Sequence, residues 1–466
     1  MVFSSLMFLF VYLPVVLAAY YVTPLKWRNL VLLIFNLIFY GWGEPVYILI
    51  MFLSTFIDYT HGRLIEKHRA DDKKARMLVI SSMVFNLALL FFFKYYDFLA
   101  DSLRGISVFS GLPRLDVPLP IGISFYTFQT MSYSVDVYRG EAKVQKSIVN
   151  FGTFVTLFPQ LIAGPILQYR DLDEQLEERE HSVGKFASGV RVFMAGLGKK
   201  VLLANSIGML WDVYLAMPAA SLTTLGAWLG VIAFTFQIYF DFSGYSDMAV
   251  GLGRMLGFEF MRNFEYPYIS RSITEFWRRW HISLGSWFRN YLYIPLGGNR
   301  RGKARQYLNL LIVWAATGIW HGASWNFLLW GLYFCALLVI EKAFLLKKLE
   351  KAPRAVSHVY ALFFIVVGWA IFGVEDLGSL GMYLRAMFGG AQAGAWCAAD
   401  GYQLMNYALL LPVLAVSSTP LGARLYGKIP ARAAQWITPV LILAGLVVCT
   451  AYLVDATYNP FLYFRF

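Results

Sequence analysis

NLLIVWAATGIWHGASWNFLLWGLY, residues 309–333, is an apolar, tryptophan-rich run long enough to cross a bilayer, and it carries one ionisable side chain, His321, near its middle. An ionisable group at membrane depth costs roughly 2.5–3.5 kcal/mol on insertion scales, so it faces a protein interior or a water-filled cavity and marks a functional site. Two readings of His321 are open. It is either a neutral imidazole hydrogen-bonded to a neighbouring carbonyl or a group that does chemistry.

The rest of the chain agrees with a membrane setting. Of 466 residues, 58% are hydrophobic, 18% aromatic and only 15% charged, far too apolar for a soluble domain. At about 20 residues per crossing, the apolar stretches allow roughly ten to twelve transmembrane or re-entrant helices. The class is therefore an all-α polytopic bundle. An outer-membrane barrel would alternate over segments of about ten residues, whereas these runs are continuous. The net charge of +12 would point to nucleic acid in a soluble protein. Here the basic residues gather in loops between apolar runs, which places those loops in the cytoplasm. Cys335, Cys397 and Cys449 lie far apart with no metal-ligand spacing, so neither a disulfide framework nor a zinc site is expected.

Working outward, crossings are expected near 3–22, 29–43, 45–59 and 77–98. Setting GRLIEKHRADDKKARM (62–77) inside also puts the Lys26–Arg28 turn inside and the N-terminus in the periplasm. Residues 118–140, PLPIGISFYTFQTMSYSVDVYRG, carry Ser124, Tyr126, Thr127, Gln129, Ser132 and Ser134, too many polar groups for a lipid-facing helix. Residues 148–170 contain Pro159, Gly164 and Pro165 in an apolar context, which predicts a broken or re-entrant helix. Further helices are expected near 357–373, 404–418 and 436–455. The whole chain reads as one integral-membrane domain, with N-terminal helices over 1–110, a core over 118–345 and C-terminal helices over 346–466.

Two stretches carry candidate chemistry besides His321. In FDFSGYSDMAVGLG (240–253), Gln237, Asp241 and Tyr245 would share a face if the preceding helix continues, as would Ser243 and Asp247. The alternative is that Asp241 and Ser243 cap and interrupt that helix. Residues 262–305 hold nine Arg or Lys against Glu265 and Glu275, with Trp277, Trp280 and Trp287 interleaved and His281 among them. Such a segment suits an interfacial helix on anionic lipid. It also suits a phosphate-bearing ligand, with arginines for phosphates and aromatics for a ring.

A neutral buried histidine beside an activated acyl group can deprotonate a hydroxyl, so acyl transfer is the leading class. There is no HExxH and no GxSxG. The soluble acyltransferase spacing of histidine and aspartate five apart is also missing, since Ser286 and Asn326 stand at those positions. A transporter or flippase of a polysaccharide or lipid-linked intermediate would also place polar groups in the membrane, but no motif is duplicated between the halves as inverted repeats would require. A scaffold of an export complex, with structural histidines, is a third reading.

FDFSGYSDMAVGLG, ITEFWRRWHISLGSWFRNYLYIPLGGNR (273–300) and GIWHGASWNFLLWG (318–331) resemble the membrane-bound O-acyltransferases, and within them the bacterial branch of alginate O-acetylation. MVFSS at the start, PLPIGISFYTFQ (118–129) and FPQLIAGP (158–165) resemble that branch too. The resemblance implies a ring of helices around a thinned centre. It implies His321 as the catalytic residue and His281 as a second essential position. The donor it implies is acetyl-CoA entering from the cytoplasm, with no permanently bound cofactor and no metal. It further implies passage of acetyl outward through the inner membrane to a periplasmic acetyltransferase partner of the polysaccharide export machinery. Donor and substrate contacts are expected from Trp277, Arg278, Arg279, Trp280, Asp241, Ser243, Tyr245 and Asn326.

Overall fold

The computed structural model describes residues 1–455 and 462. Every regular element among the described residues is helical, as the continuous apolar runs predict. Six helices are long and apolar enough to cross a bilayer: Ile48–Lys67, Asp72–Leu103, Thr224–Met255, Trp325–Lys351, Arg354–Gly373 and Ala431–Asp455. A shorter apolar helix, Phe8–Val22, lies where the first crossing is expected. The chain forms two compact units, one of Met1–Phe193 with Tyr245–Met261 and one of Met194–Gly244 with Arg262–Phe466.

The first unit is organised by polar groups turned inward. Helix α1 (Ile48–Lys67), α2 (Asp72–Leu90) and α3 (Ile123–Arg139) share a buried network. The Asp58 carboxylate accepts from Ser82 Oγ at 2.6 Å and from Asn86 Nδ2 at 2.9 Å. Ser82 meets Ser134 at 2.8 Å, and Thr130 donates to Asn86 at 3.0 Å. All six polar positions picked out in residues 118–140 are buried against protein, where Ser132 and Ser134 find hydrogen-bond partners that lipid would not offer. The break predicted in 148–170 is present. Helix α4 (Ile148–Thr156) stops, a short turn of helix covers Phe158–Leu161, and a turn followed by irregular chain comes after it. Backbone groups at the break are satisfied from the side: Asn36 Oδ1 accepts from the Phe158 amide at 3.1 Å, and Gln160 Nε2 donates to the Phe154 carbonyl at 2.8 Å. That is the condition under which irregular backbone survives at membrane depth.

Helix α5 (Thr224–Met255), whose residues through Gly244 belong to the second unit and the rest to the first, is continuous through Asp241 and Ser243 for 32 residues, so those residues do not interrupt it. At 1.5 Å per residue it is about 48 Å long, more than the hydrocarbon core. Two short helices follow, α6 (Ile273–Arg279) and α7 (Ile282–Phe288). The reading of 309–333 as one crossing is corrected. Helix α8 (Lys303–His321) ends on the histidine, Gly322 is extended, and α9 (Trp325–Ile340) starts anew, with α10 (Arg354–Gly373) packed beside it. The chain reverses because residues 322–324 supply small side chains and α8 and α9 can then pack backbone to backbone. A Cβ on Gly318 would strike the Phe327 carbonyl, and one on Gly331 the Trp314 carbonyl. Small residues at such crossings let membrane helices approach closely.

Because backbone atoms oppose those two glycines, Gly318→Ala is expected to destabilise the protein by roughly 1–3 kcal/mol. It should lower the thermal midpoint of the detergent-purified protein. Gly401→Ala, at a helical position with open space around it, should leave the midpoint unchanged or raise it.

Candidate active site

Helix α6 delivers one histidine and α8 the other. The first turn of α6 is held by a carboxylate from the far end of α9. Buried Glu341 accepts from the Ile273 amide at 2.6 Å, the Thr274 amide at 2.8 Å and the Thr274 hydroxyl at 2.6 Å. Ser272 Oγ caps the same turn, accepting from the Glu275 amide at 3.0 Å. These acceptors satisfy amides that a helix start leaves open, and the negative charge suits the positive end of the helix. After Arg279 the backbone extends at Trp280, and His281 then adopts a left-handed conformation, φ 45° and ψ 53°, at the N-cap of α7. For a residue with a Cβ this costs on the order of 1–3 kcal/mol, and such strain collects at functional sites.

The His281 ring is 2% exposed and stands edge-on to Phe242, with ring centroids 4.6 Å apart. Its Nδ1 lies 3.1 Å from Asn263 Oδ1. The Ser283 amide donates to that oxygen at 3.2 Å and the Ser283 hydroxyl at 2.9 Å. A backbone N–H can only donate, so the asparagine atom is the carbonyl oxygen, and Nδ1 must carry its hydrogen. The lone pair then sits on Nε2, which is buried and has no hydrogen-bond partner among the described residues. Burial first, and His321 second, hold this imidazole well below the ordinary histidine pKa. It is a neutral ring presenting a base.

His321 closes α8 against a wall of aromatics, its ring centroid 5.1 Å from Trp330, 5.2 Å from Trp320 and 5.3 Å from Phe372. Both histidines line one cavity of about 260 Å³, together with Trp277, Trp280 and Trp314. The site therefore combines two imidazoles with walls that exclude water, a setting for proton transfer to or from a bound hydroxyl or thiol.

Of the residues singled out in the sequence, the structure brings Trp277, Trp280, His281 and His321 to this cavity. Arg278 and Arg279 line a separate groove of about 450 Å³ with Glu265, Glu275 and Glu350. There Arg279 is paired with Glu275 at 3.0 Å. Asp241 is buried in an ion pair with Lys200 at 2.5 Å and accepts from the Leu462 amide at 2.9 Å. Ser243 is buried two residues further along α5, and Tyr245, in the first unit, stacks on Phe3 at 4.5 Å. Asn326 Nδ2 donates to the Phe372 carbonyl at 3.0 Å, tying α9 to the end of α10. None of these last four lines the cavity. Among the described residues no cluster of His, Cys, Asp or Glu could hold a metal ion. Sequence reasoning missed Asn263 and Glu341. Glu341 carried a usable signal, a lone carboxylate at the end of an apolar run. Asn263 had none, since its partner lies in a different turn of chain.

Two histidines on an apolar cavity between membrane helices fit acyl transfer to a hydroxyl, and sequence comparison agrees: the model of the membrane-bound O-acyltransferase family matches residues 34–371. The chain belongs to that family and is an O-acyltransferase. It is 44% identical over 403 residues, 86% of this chain and 80% of the relative, to the probable alginate O-acetylase AlgI of Azotobacter vinelandii. It is 40% identical over 490 residues, spanning 100% of both chains, to the probable alginate O-acetylase AlgI of Pseudomonas putida. It is 32% identical over 424 residues, 84% of this chain and 80% of the relative, to the peptidoglycan O-acetyltransferase of Helicobacter pylori.

Asn263→Asp places a carboxylate on His281 Nδ1–H and favours the charged ring, raising its pKa. The acid limb of the activity profile should then move to higher pH, by about one unit or more. Asn263→Ala frees the tautomer and should lower activity with no such shift. Activity against pH in nanodiscs reads both, and an unmoved acid limb in Asn263→Asp would show that the neutral His281 ring, with its free Nε2 lone pair, is not needed for activity.

Proposed function

We propose that the protein takes acetyl from acetyl-CoA at the cytoplasmic face of the inner membrane and passes it across for O-acetylation of an exported polysaccharide of alginate or cellulose type. A periplasmic acetyltransferase working with the export machinery completes the modification, and the N-terminus lies in the periplasm. The observation that carries this reading is the pair of buried imidazoles on one apolar cavity. The names borne by the relatives, O-acetylases of alginate and of peptidoglycan, support acetyl as the group and a carbohydrate polymer as its destination.

The chemistry needs little beyond these side chains. His321 takes the proton from an acceptor hydroxyl, whose oxygen attacks the thioester carbonyl carbon. The new C–O bond forms, the C–S bond breaks, and the proton passes to the leaving sulfur, so that an ester and free CoA result. His281 assists from the same wall. With hydrogen on Nδ1 and the lone pair on Nε2, it accepts a hydrogen bond from a proton-bearing atom in the cavity and steadies the hydroxyl or the His321 ring. Trp277, Trp280 and Trp314 keep water from competing for the thioester.

The test is thiol release from acetyl-CoA by nanodisc-embedded protein, with and without a candidate periplasmic partner. His321→Ala is expected to reduce release roughly 10²- to 10⁴-fold, the range a general base supplies, at unchanged expression and thermal midpoint. Wild-type rates retained in that variant would remove His321 from the chemistry, and no release by wild type with the partner present would contradict the acetyl-CoA reading.

A further inference from the structure

The cavity is polarised from end to end. Its deep part is made by the buried rings of Trp280, His281, Trp314 and His321. Two cationic side chains also line it, Arg289 just after α7 and Lys342 just after α9, and both are exposed. No carboxylate is among the lining residues. Among the described residues neither cation makes an ion pair or a side-chain hydrogen bond. A pair of uncompensated charges at the open end of an apolar channel is an anion-attracting mouth.

The groove that holds Arg278 and Arg279 is different. Glu265, Glu275 and Glu350 share its lining and Glu275 already neutralises Arg279. An anion there meets as much negative charge as positive. One at the cavity mouth meets only cations.

We propose that Arg289 and Lys342, rather than Arg278 and Arg279, bind the phosphate end of the acyl donor, with the thioester arm running through the aromatic channel to the histidines. This rests on the acyl-transfer reading above. The ligand chemistry is a phosphate-terminated pantetheine thioester, which occurs both in free acyl-CoA and on the prosthetic arm of a carrier protein. The two cations and the two histidines line the same cavity, so a donor with its phosphate at the cations can present its thioester to the imidazoles. The same arrangement disfavours donors that lack the phosphate.

The experiment uses the full chain in phosphatidylcholine nanodiscs, which offer no net anionic lipid to the two cations. Initial rates are measured with acetyl-CoA, with an acetylated carrier protein, and with S-acetyl-pantetheine, which has the arm and no phosphate. The donor that wild type turns over with the lower KM identifies the source of the arm. Arg289→Ala with Lys342→Ala should raise KM for the phosphate-bearing donor on the order of tenfold or more, with kcat held within about twofold. The KM for S-acetyl-pantetheine should stay where it was, and Arg289→Lys with Lys342→Arg should restore most of the affinity for the phosphate-bearing donor. An unchanged KM for that donor in the double alanine variant, or an equal loss with and without phosphate, overturns the assignment. If KM instead rises in Arg278→Ala with Arg279→Ala, the phosphate lies in the other groove. Absence of turnover by wild type with every donor would contradict the acyl-transfer reading itself, which separates that failure from this one.

Discussion

Glu341 is the contact on which the arrangement of the site depends. Its carboxylate stands at the end of α9, the helix that begins just past His321, and it grips the first turn of α6, the helix that ends just before His281. One buried side chain thus couples the two histidine-bearing parts of the chain. A carboxylate buried at 1% exposure is tolerated because three donors replace its water and a helix N-terminus supplies the compensating field. Its placement also carries Lys342, the next residue, to the cavity.

The histidines are held by opposite means. His321 is positioned by close helix packing, since Gly318 and Gly331 let two backbones meet and leave the ring among Trp320, Trp330 and Phe372. His281 is positioned by hydrogen bonds and strain. Its left-handed backbone turns the ring toward the cavity, and the Asn263 carbonyl oxygen fixes which nitrogen bears hydrogen. The consequence is a base whose protonation state is determined before any substrate arrives, which is the meaning of preorganisation in a low-dielectric site.

The features legible in the sequence were those written along one continuous element. The inward polar face of residues 118–140 follows from counting polar side chains in an apolar run, and the break in 148–170 follows from Pro159, Gly164 and Pro165. His321 and His281 were found because an ionisable ring among tryptophans is costly and therefore conspicuous. What the chain hid was reversal and pairing at a distance. The turn after His321 is made by Gly322, Ala323 and Ser324, three small uncharged residues that barely dent the hydropathy of 309–333, so that stretch reads as one crossing. Asp241 looked like a ligand-facing carboxylate, yet its partner Lys200 lies on another helix and no periodicity links them. Arg278 and Arg279 illustrate the same limit: α6 sends Trp277 to the cavity while these two arginines line the separate groove.

The central claim is that both imidazoles serve one bound thioester in one cavity. The most direct measurement is a cryo-EM structure of the nanodisc-embedded protein with a non-hydrolysable thioether analogue of acetyl-CoA. The account predicts the analogue's carbonyl beside His321 and His281, with its arm between Trp277, Trp280 and Trp314. An analogue seated in the groove of Arg278 and Arg279, with no density next to either histidine, would contradict it.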